Sequence, residues 1–230
     1  MPDIELLNNP MWSALTTAHG PLALGNRLAR AYPPEIGPLS GLAEQTPAAY
    51  EDLRAIAEPD GVRVLFLKEP PQPRPEWAFV RGGLVDQMVH TGRRIDELLQ
   101  PNGMRRLTKS DVPAMVELAK LTEPGPFRNR THELGAFFGI FEGDRLLAMA
   151  GQRMRFPGFV EISAVCTHPD ARGRGYARTL MSTVMELIRH EGDMPFLHTF
   201  ADNYPAIRVY ESLGFAKRCT FHLAVLKNES

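Results

Sequence analysis

Cysteine and tryptophan are scarce in this chain, and neither sign of charge is in excess. Cys166 and Cys219 are the only cysteines among 230 residues, too few for a disulfide framework, and no Cys/His group has zinc-ligand spacing. A formal net charge of -1 at pH 7 removes any global electrostatic reason for binding nucleic acid or anionic membrane. No apolar run reaches the length of a membrane span, and the acidic opening Met1-Pro2-Asp3-Ile4-Glu5 lacks the apolar stretch of a signal peptide. These absences imply a protein of the reducing cytoplasm with no metal, nucleic-acid or membrane partner. What remains, 43% hydrophobic and 23% charged residues, is ordinary for a globular chain long enough for one large domain or two small ones.

Proline punctuates the first hundred residues. Asn9-Pro10 and Thr46-Pro47 each place a capping side chain before a proline at the first helical position, so helices are expected from Pro10 and from Pro47. Pro33, Pro34 and Pro38 can continue neither helix. The β-branched and aromatic run 62–67 predicts a strand, and residues 68–76, with four prolines, an exposed loop. Segments 77–80 and 84–90 flank Arg81-Gly82-Gly83 and predict a hairpin. Gln100-Pro101-Asn102-Gly103 is the best boundary, separating an α+β lobe (1–100) without visible chemistry from residues 104–230.

Beyond the boundary the elements alternate as β-α-β-β-β-α-β-α-β, which predicts an α/β domain with a mixed central sheet flanked by helices. Ala177, Leu180, Met181, Val184 and Ile188 form a 3.6-residue stripe for packing on that sheet. Two halves of similar length leave a degenerate duplication open, although no repeat is visible.

The most informative stretch, residues 160–178, reads as strand, Gly-rich turn and helix start. Glycines let backbone N–H groups converge on an anion, and the helix dipole adds to the pull. A Walker loop is excluded because no Lys-Ser/Thr pair follows, and a dinucleotide fingerprint because Arg178 stands where a third glycine would be needed. Arg172, Gly175 and Ala177 instead follow R-x-x-G-x-A after a strand. Downstream, Asn203, Ala206, Tyr210, Gly214 and Phe215 follow N-x-x-A-x-x-x-Y-x-x-x-G-F. Together these motifs resemble the GNAT N-acetyltransferase superfamily over about residues 104–226.

That resemblance implies a GNAT-type sheet and acetyl-CoA, or another short acyl-CoA, as co-substrate. It implies that the backbone of Arg172, Gly173, Arg174, Gly175, Tyr176 and Ala177 holds the pyrophosphate. The Val165 N–H would meet the thioester carbonyl, and backbone from Cys166 to Thr167 would line the pantetheine arm. Asn203 would contact the cofactor or cap the following helix. Tyr210 would protonate the departing thiolate, with a packed core aromatic as its plainer reading. Glu161 occupies a position where some members carry a general base. Strand alternation sets Glu161, Ser163 and Val165 on one face, and a half-buried carboxylate there would have a raised pKa. The plainer alternative is a glutamate paired with Arg153 or Arg155. Arg128 and Arg130 lie where acceptor sites often form and could hold an acceptor carboxylate. His198 reads as a packed strand histidine, His168 as turn surface, and the Cys166 side chain as pointing away from the Val165 face.

The reaction implied is transfer of an acetyl group to an amine by direct attack. The acceptor is a small molecule or a peptide or protein amine, and the oligomeric state is open. A CoA-binding sensor without turnover is the alternative.

Overall fold

The protein, described here over residues 2–92 and 101–229 of a computed structural model, begins where capping chemistry dictates. Asn9 accepts a hydrogen bond from the Trp12 N–H and starts α1 (Pro10–Thr16), and Thr46 does the same through Ala49 for α2 (Pro47–Ala55). Between them, β1 (Ala29–Ala31) and β2 (Ser40–Leu42) form a two-stranded antiparallel ribbon. The other strands are β3 (Val62–Leu67), β4 (Trp77–His90), β5 (Met104–Arg106), β6 (Phe137–Glu142), β7 (Arg145–Phe156), β8 (Phe159–Thr167), β9 (Met194–Phe200) and β10 (Phe215–Asn228). They form one eight-stranded mixed sheet in the order β3-β10-β4-β9-β8-β7-β6-β5. Helices α3 (Val112–Thr122), α4 (Tyr176–His190) and α5 (Tyr204–Ser212) cover it together with α1 and α2.

Strands from both sides of the 100–103 segment thus share one hydrogen-bonded sheet; Gln100 itself lies outside the described residues. Among the described strands of this sheet, β8 and β9 are the one neighbouring pair that runs parallel, joined by α4 as a crossover. The apolar stripe of α4 is fully used. Leu180, Met181, Val184 and Ile188 have no exposed surface and pack on Val160, Ile162 and Leu197, each side chain contributing about 1.5–3 kcal/mol. On the opposite face α1 and the turn before it bring Leu7, Met11 and Leu15 against Phe159, Phe196 and Phe221. None of the described helices is long and apolar enough to cross a membrane.

The expected hairpin at Arg81-Gly82-Gly83 is absent. Residues 77–90 are a single strand whose whole length pairs with β10, with a bulge between Phe79 and Arg81. Gly82 serves close approach rather than reversal, since a Cβ there would stand 2.4 Å from the Leu223 carbonyl oxygen. The pairing partner lies 140 residues downstream, beyond any local signal.

Gly82→Ala is therefore expected to destabilise the fold by about 1–3 kcal/mol. Gly83→Ala meets only the Phe200 ring edge at 3.3 Å and should cost less. Urea unfolding of the two variants checks the order.

Candidate active site

β8 and β9 stop pairing after three rungs, Phe159 with Met194, Val160 with Pro195 and Glu161 with Phe196. Above Glu161 they diverge, β8 staying with β7 and β9 with β4. A bulge sharpens the divergence. Between the rungs Met149–Cys166 and Gly151–Ser163, one residue of β7, Ala150, faces two of β8, Ala164 and Val165, and Ala164 adopts φ +52°. A left-handed alanine costs about 1–2 kcal/mol, and such strain gathers at functional sites. Ala164 and Val165 have no ladder partner on β7 or β9.

The bulge corrects the expected alternation. Val165 does not share a face with Glu161 and Ser163. It packs with Val160 and Ile162 against α4 and α5, whereas Ala164 and Cys166 pack against α3. The extra residue resets the period of two. Cys166 is buried, and burial pushes its thiol up to about 11, so at neutral pH it is an inert, protonated core side chain. Thr167 stays in the ladder opposite Ala148.

The divergence opens a cleft of about 1050 Å³ that reaches both faces of the sheet. On the α4–α5 side it is lined by Ile162, Val165, Asn203 and Tyr210. The Tyr210 hydroxyl makes no protein hydrogen bond and is not among the buried unpaired atoms, so it faces the cleft. Burial of the ring pushes the phenol up to about 12, which keeps it a donor at neutral pH. Asn203 caps α5, its Oδ1 accepting from the Ala206 N–H at 3.4 Å, and also lines the cleft.

Beyond β8 the Gly-rich turn leads into α4. Gly173 and Gly175 both have φ +77°, and no atom lies within 4 Å of where either Cβ would be. The N–H groups of residues 173–177 find no acceptor among the described residues. Five free donors at the positive end of a helix suit a pyrophosphate. The side chains of Arg172 and Arg174 are exposed, and Arg174 lies 3.5 Å from Glu142.

On the other face the cleft floor is ionic. Arg153 sits beside a second bulge, on β7, and gives Nε and Nη2 to the two Glu161 oxygens, both at 2.6 Å. His198 Nδ1 donates to the same carboxylate at 2.7 Å. Its Nε2 lies 3.2 Å from the Gln87 amide nitrogen, which also donates to the Leu7 carbonyl. Glu161 is completely buried. Burial alone would raise its pKa, but the Arg153 guanidinium and the His198 ring outweigh that and hold it at about 2. The expected upward shift is thus reversed, because the carboxylate is already paired. Burial lowers the His198 pKa and keeps the ring neutral.

The two loop arginines separate. Arg128 lines the cleft, while Arg130 makes a bidentate pair with Glu133 at 2.8 Å and is not on the cleft wall. His168 lies with Arg145 and Asp170 at the surface turn. The sequence also leads to the expectation that residues 1–100 pack on the sheet and shape the cleft, without saying through which residues. Those residues are Val64 and Phe66 of β3, Val85 of β4 and Leu39, which line the cleft; the β-branched and aromatic run 62–67 announces a strand but not which of its side chains reach the cleft. Among the described residues no three His, Cys, Asp or Glu side chains are grouped to hold a metal ion.

The comparisons agree with this geometry. The model of the FR47-like protein family matches residues 137–223. A crystal structure of a GNAT-family protein from Novosphingobium aromaticivorans is 35% identical, with a TM-score of 0.89 over 97% of this chain and 99% of that one. The chain belongs to the GNAT family of acetyltransferases. A GCN5-related N-acetyltransferase from Kribbella flavida, 12% identical, shares the fold at a TM-score of 0.63 over 98% of this chain and 95% of its own. A mycothiol acetyltransferase from Brachybacterium faecium is 42% identical over 57 residues, 24% of this chain and 17% of that protein.

A buried carboxylate held at about 2 has a definite pH signature. Its folded pKa lies below its unfolded value of 4.5, so the stability it contributes is complete above pH 4.5 and lost as pH falls toward 2. Glu161→Gln should cost about 3–5 kcal/mol at pH 7, because Arg153 is left unpaired, and should flatten the acid limb between pH 4.5 and 2. His19 and His198, whose pKa values burial lowers, contribute loss of the same sign starting near pH 6.5. Urea midpoints of wild type and variant across pH 2–7 separate the contributions.

Proposed function

We propose that the protein transfers an acetyl group, or another short acyl group, from its CoA thioester to a primary amine by direct attack. The observation that carries this reading is the divergence of β8 and β9 above Glu161, with Ala164 and Val165 unpaired at its edge. An amide-bearing chain entering the gap can form main-chain hydrogen bonds with the free backbone on either side. The donors of residues 173–177 would hold the pyrophosphate, and Asn203 would contact the arm below it. When bound, acetyl-CoA supplies the activated acyl carbon and the thiolate leaving group.

The Val165 N–H is positioned to stabilise charge on the acyl oxygen as the amine adds. Tyr210 holds a proton at its hydroxyl for the departing sulfur: the C–N bond forms, the C–S bond breaks, and the phenol proton passes to sulfur. Tyr210 regains a proton from solvent. We assign Glu161 to positioning rather than to the base, since a carboxylate with both oxygens engaged cannot take a proton at neutral pH. Water in the open cleft takes the proton released by the amine. Residues 104–230 would then supply the catalytic elements, and residues 1–100 the wall facing the acceptor.

Calorimetric titration with acetyl-CoA should give saturable binding. Gly175→Trp should lose it, by filling the free space beside the turn. Tyr210→Phe should leave affinity within a few-fold and lower turnover by about 10²-fold, measured as CoA thiol release. Binding without turnover on any amine would instead mark a CoA sensor. A folded protein that binds no acetyl-CoA would overturn the reading altogether.

A further inference from the structure

The acceptor side of the cleft states what kind of amine it takes. We infer that the acceptor is a free α-amino acid with an apolar side chain, its carboxylate seated on Arg153 and Ser163; this rests on the acyl-transfer reading above.

Three observations lead there. The first is the one unused arm of Arg153. Nε and Nη2 are committed to Glu161, whereas Nη1 has no protein partner, is not among the buried unpaired atoms, and belongs to a residue lining the cleft. Glu161 thus holds the guanidinium rigid with one pair of N–H donors presented outward. The second is Ser163. It stands two residues from Glu161 on the same face, lines the same recess as Arg153 and Ala164, and its hydroxyl makes no protein hydrogen bond. Guanidinium and hydroxyl side by side suit one carboxylate. The third is the charge of the walls. The charge of Arg153 is balanced by Glu161, but Arg63, Arg81, Lys120 and Arg128 also line the cleft, against the carboxylates of Glu58 and Glu123. Arg63 is almost fully buried, yet gives its guanidinium only to the neutral carbonyls of Tyr32 and Ile56. Such a field favours an anionic acceptor, repels a polyamine, and disfavours the ammonium form of the nucleophile, so that no dedicated base is required.

These cations do not serve the pyrophosphate. Arg153 lies on the face of Glu161, whereas Val165 and the start of α4 pack on the other. Ser163 and Val165 flank the bulge residue Ala164, so a carboxylate at Ser163 and an acyl carbonyl at Val165 would lie on either side of one short turn of backbone, bridged by one α-carbon and an amine. The walls beside Arg153 are apolar, with Val64, Phe66, Phe127 and Val225 on the cleft, and would take an aliphatic or aromatic side chain.

Matched acceptors test this without any mutation. Leucine and phenylalanine should exceed leucinamide and phenylalaninamide in kcat/KM for CoA release by at least 10-fold, although the amides have the more easily deprotonated amine. N-acetyl-leucine should bind in calorimetry with CoA present, and N-acetyl-leucinamide should bind at least 10-fold more weakly. Ser163→Ala should raise KM for the acid by more than it raises KM for the amide. Arg153→Gln combined with Glu161→Gln removes both charges of the pair at nearly constant volume. With folding checked by thermal melting, it should erase the acid-over-amide ratio. Equal use of acids and amides, or better transfer to spermidine, would overturn the inference while leaving acyl transfer intact. Failure of acetyl-CoA to bind would instead defeat the underlying reading.

Discussion

Two parallel strands that separate after three rungs are the constraint around which this molecule is organised. An unpaired strand edge inside a sheet is costly, because buried N–H and C=O groups must find partners. β8 and β9 limit that cost by keeping full ladders on their outer sides, with β7 and β4. Each is left with one free row facing the gap. The bulge at Ala164 turns the free row of β8 into the gap and ends its pairing with β7 for two residues. Strain is stored where a ligand's amides can repay it. The turn after β8 then leads from this gap to the start of α4, where the N–H groups of residues 173–177 are free, so the strand edge and those donors lie on one short stretch of chain.

Holding such a gap open requires a floor that does not collapse, and the Arg153–Glu161–His198 cluster supplies it. Buried ion pairs add little net stability over an apolar substitute, but breaking one is expensive. The cluster therefore fixes geometry more than it adds free energy. It stands on the last paired rung, where the two strands part. Through Gln87 and the Leu7 carbonyl it ties β9 and β4 to the N-terminal turn. Arg218 extends the tie from Gln87 to Asn8. The first residues of the chain are thereby coupled to the floor of the cleft, although they contribute no group to the reaction proposed here.

Local signals were read well and long-range ones were not. The stripe Leu180–Met181–Val184–Ile188, the caps at Asn9 and Thr46 and the glycines before α4 each depend on residues within one or two turns, and each was legible. Arg81-Gly82-Gly83 looked like a turn because two glycines between apolar runs usually make one. Only the 14-residue β10 shows that Gly82 instead lets a backbone carbonyl come close. Alternation along β8 failed for a related reason. A bulge is a property of two strands, and nothing around Ala164 announces that β7 will supply one residue where β8 supplies two.

Glu161 carries the sharper lesson about site chemistry. Its position in the strand was readable, and so was Arg153 as a partner, yet the two readings demand opposite pKa shifts. A base needs burial to dominate, whereas an anchor needs the neighbouring charge to dominate. Burial is complete in either case, so the choice turns on where the guanidinium points. That is fixed by the bulge on β7 beside Arg153, which no single-strand pattern encodes. The same geometry that removes Glu161 as a base leaves one arm of Arg153 facing the cleft. The carboxylate is spent on aiming a cation, and in the reaction proposed that cation would favour a neutral amine beside it. Proton management in that proposal is a property of the electrostatic field of the cleft rather than of one residue with a tuned pKa.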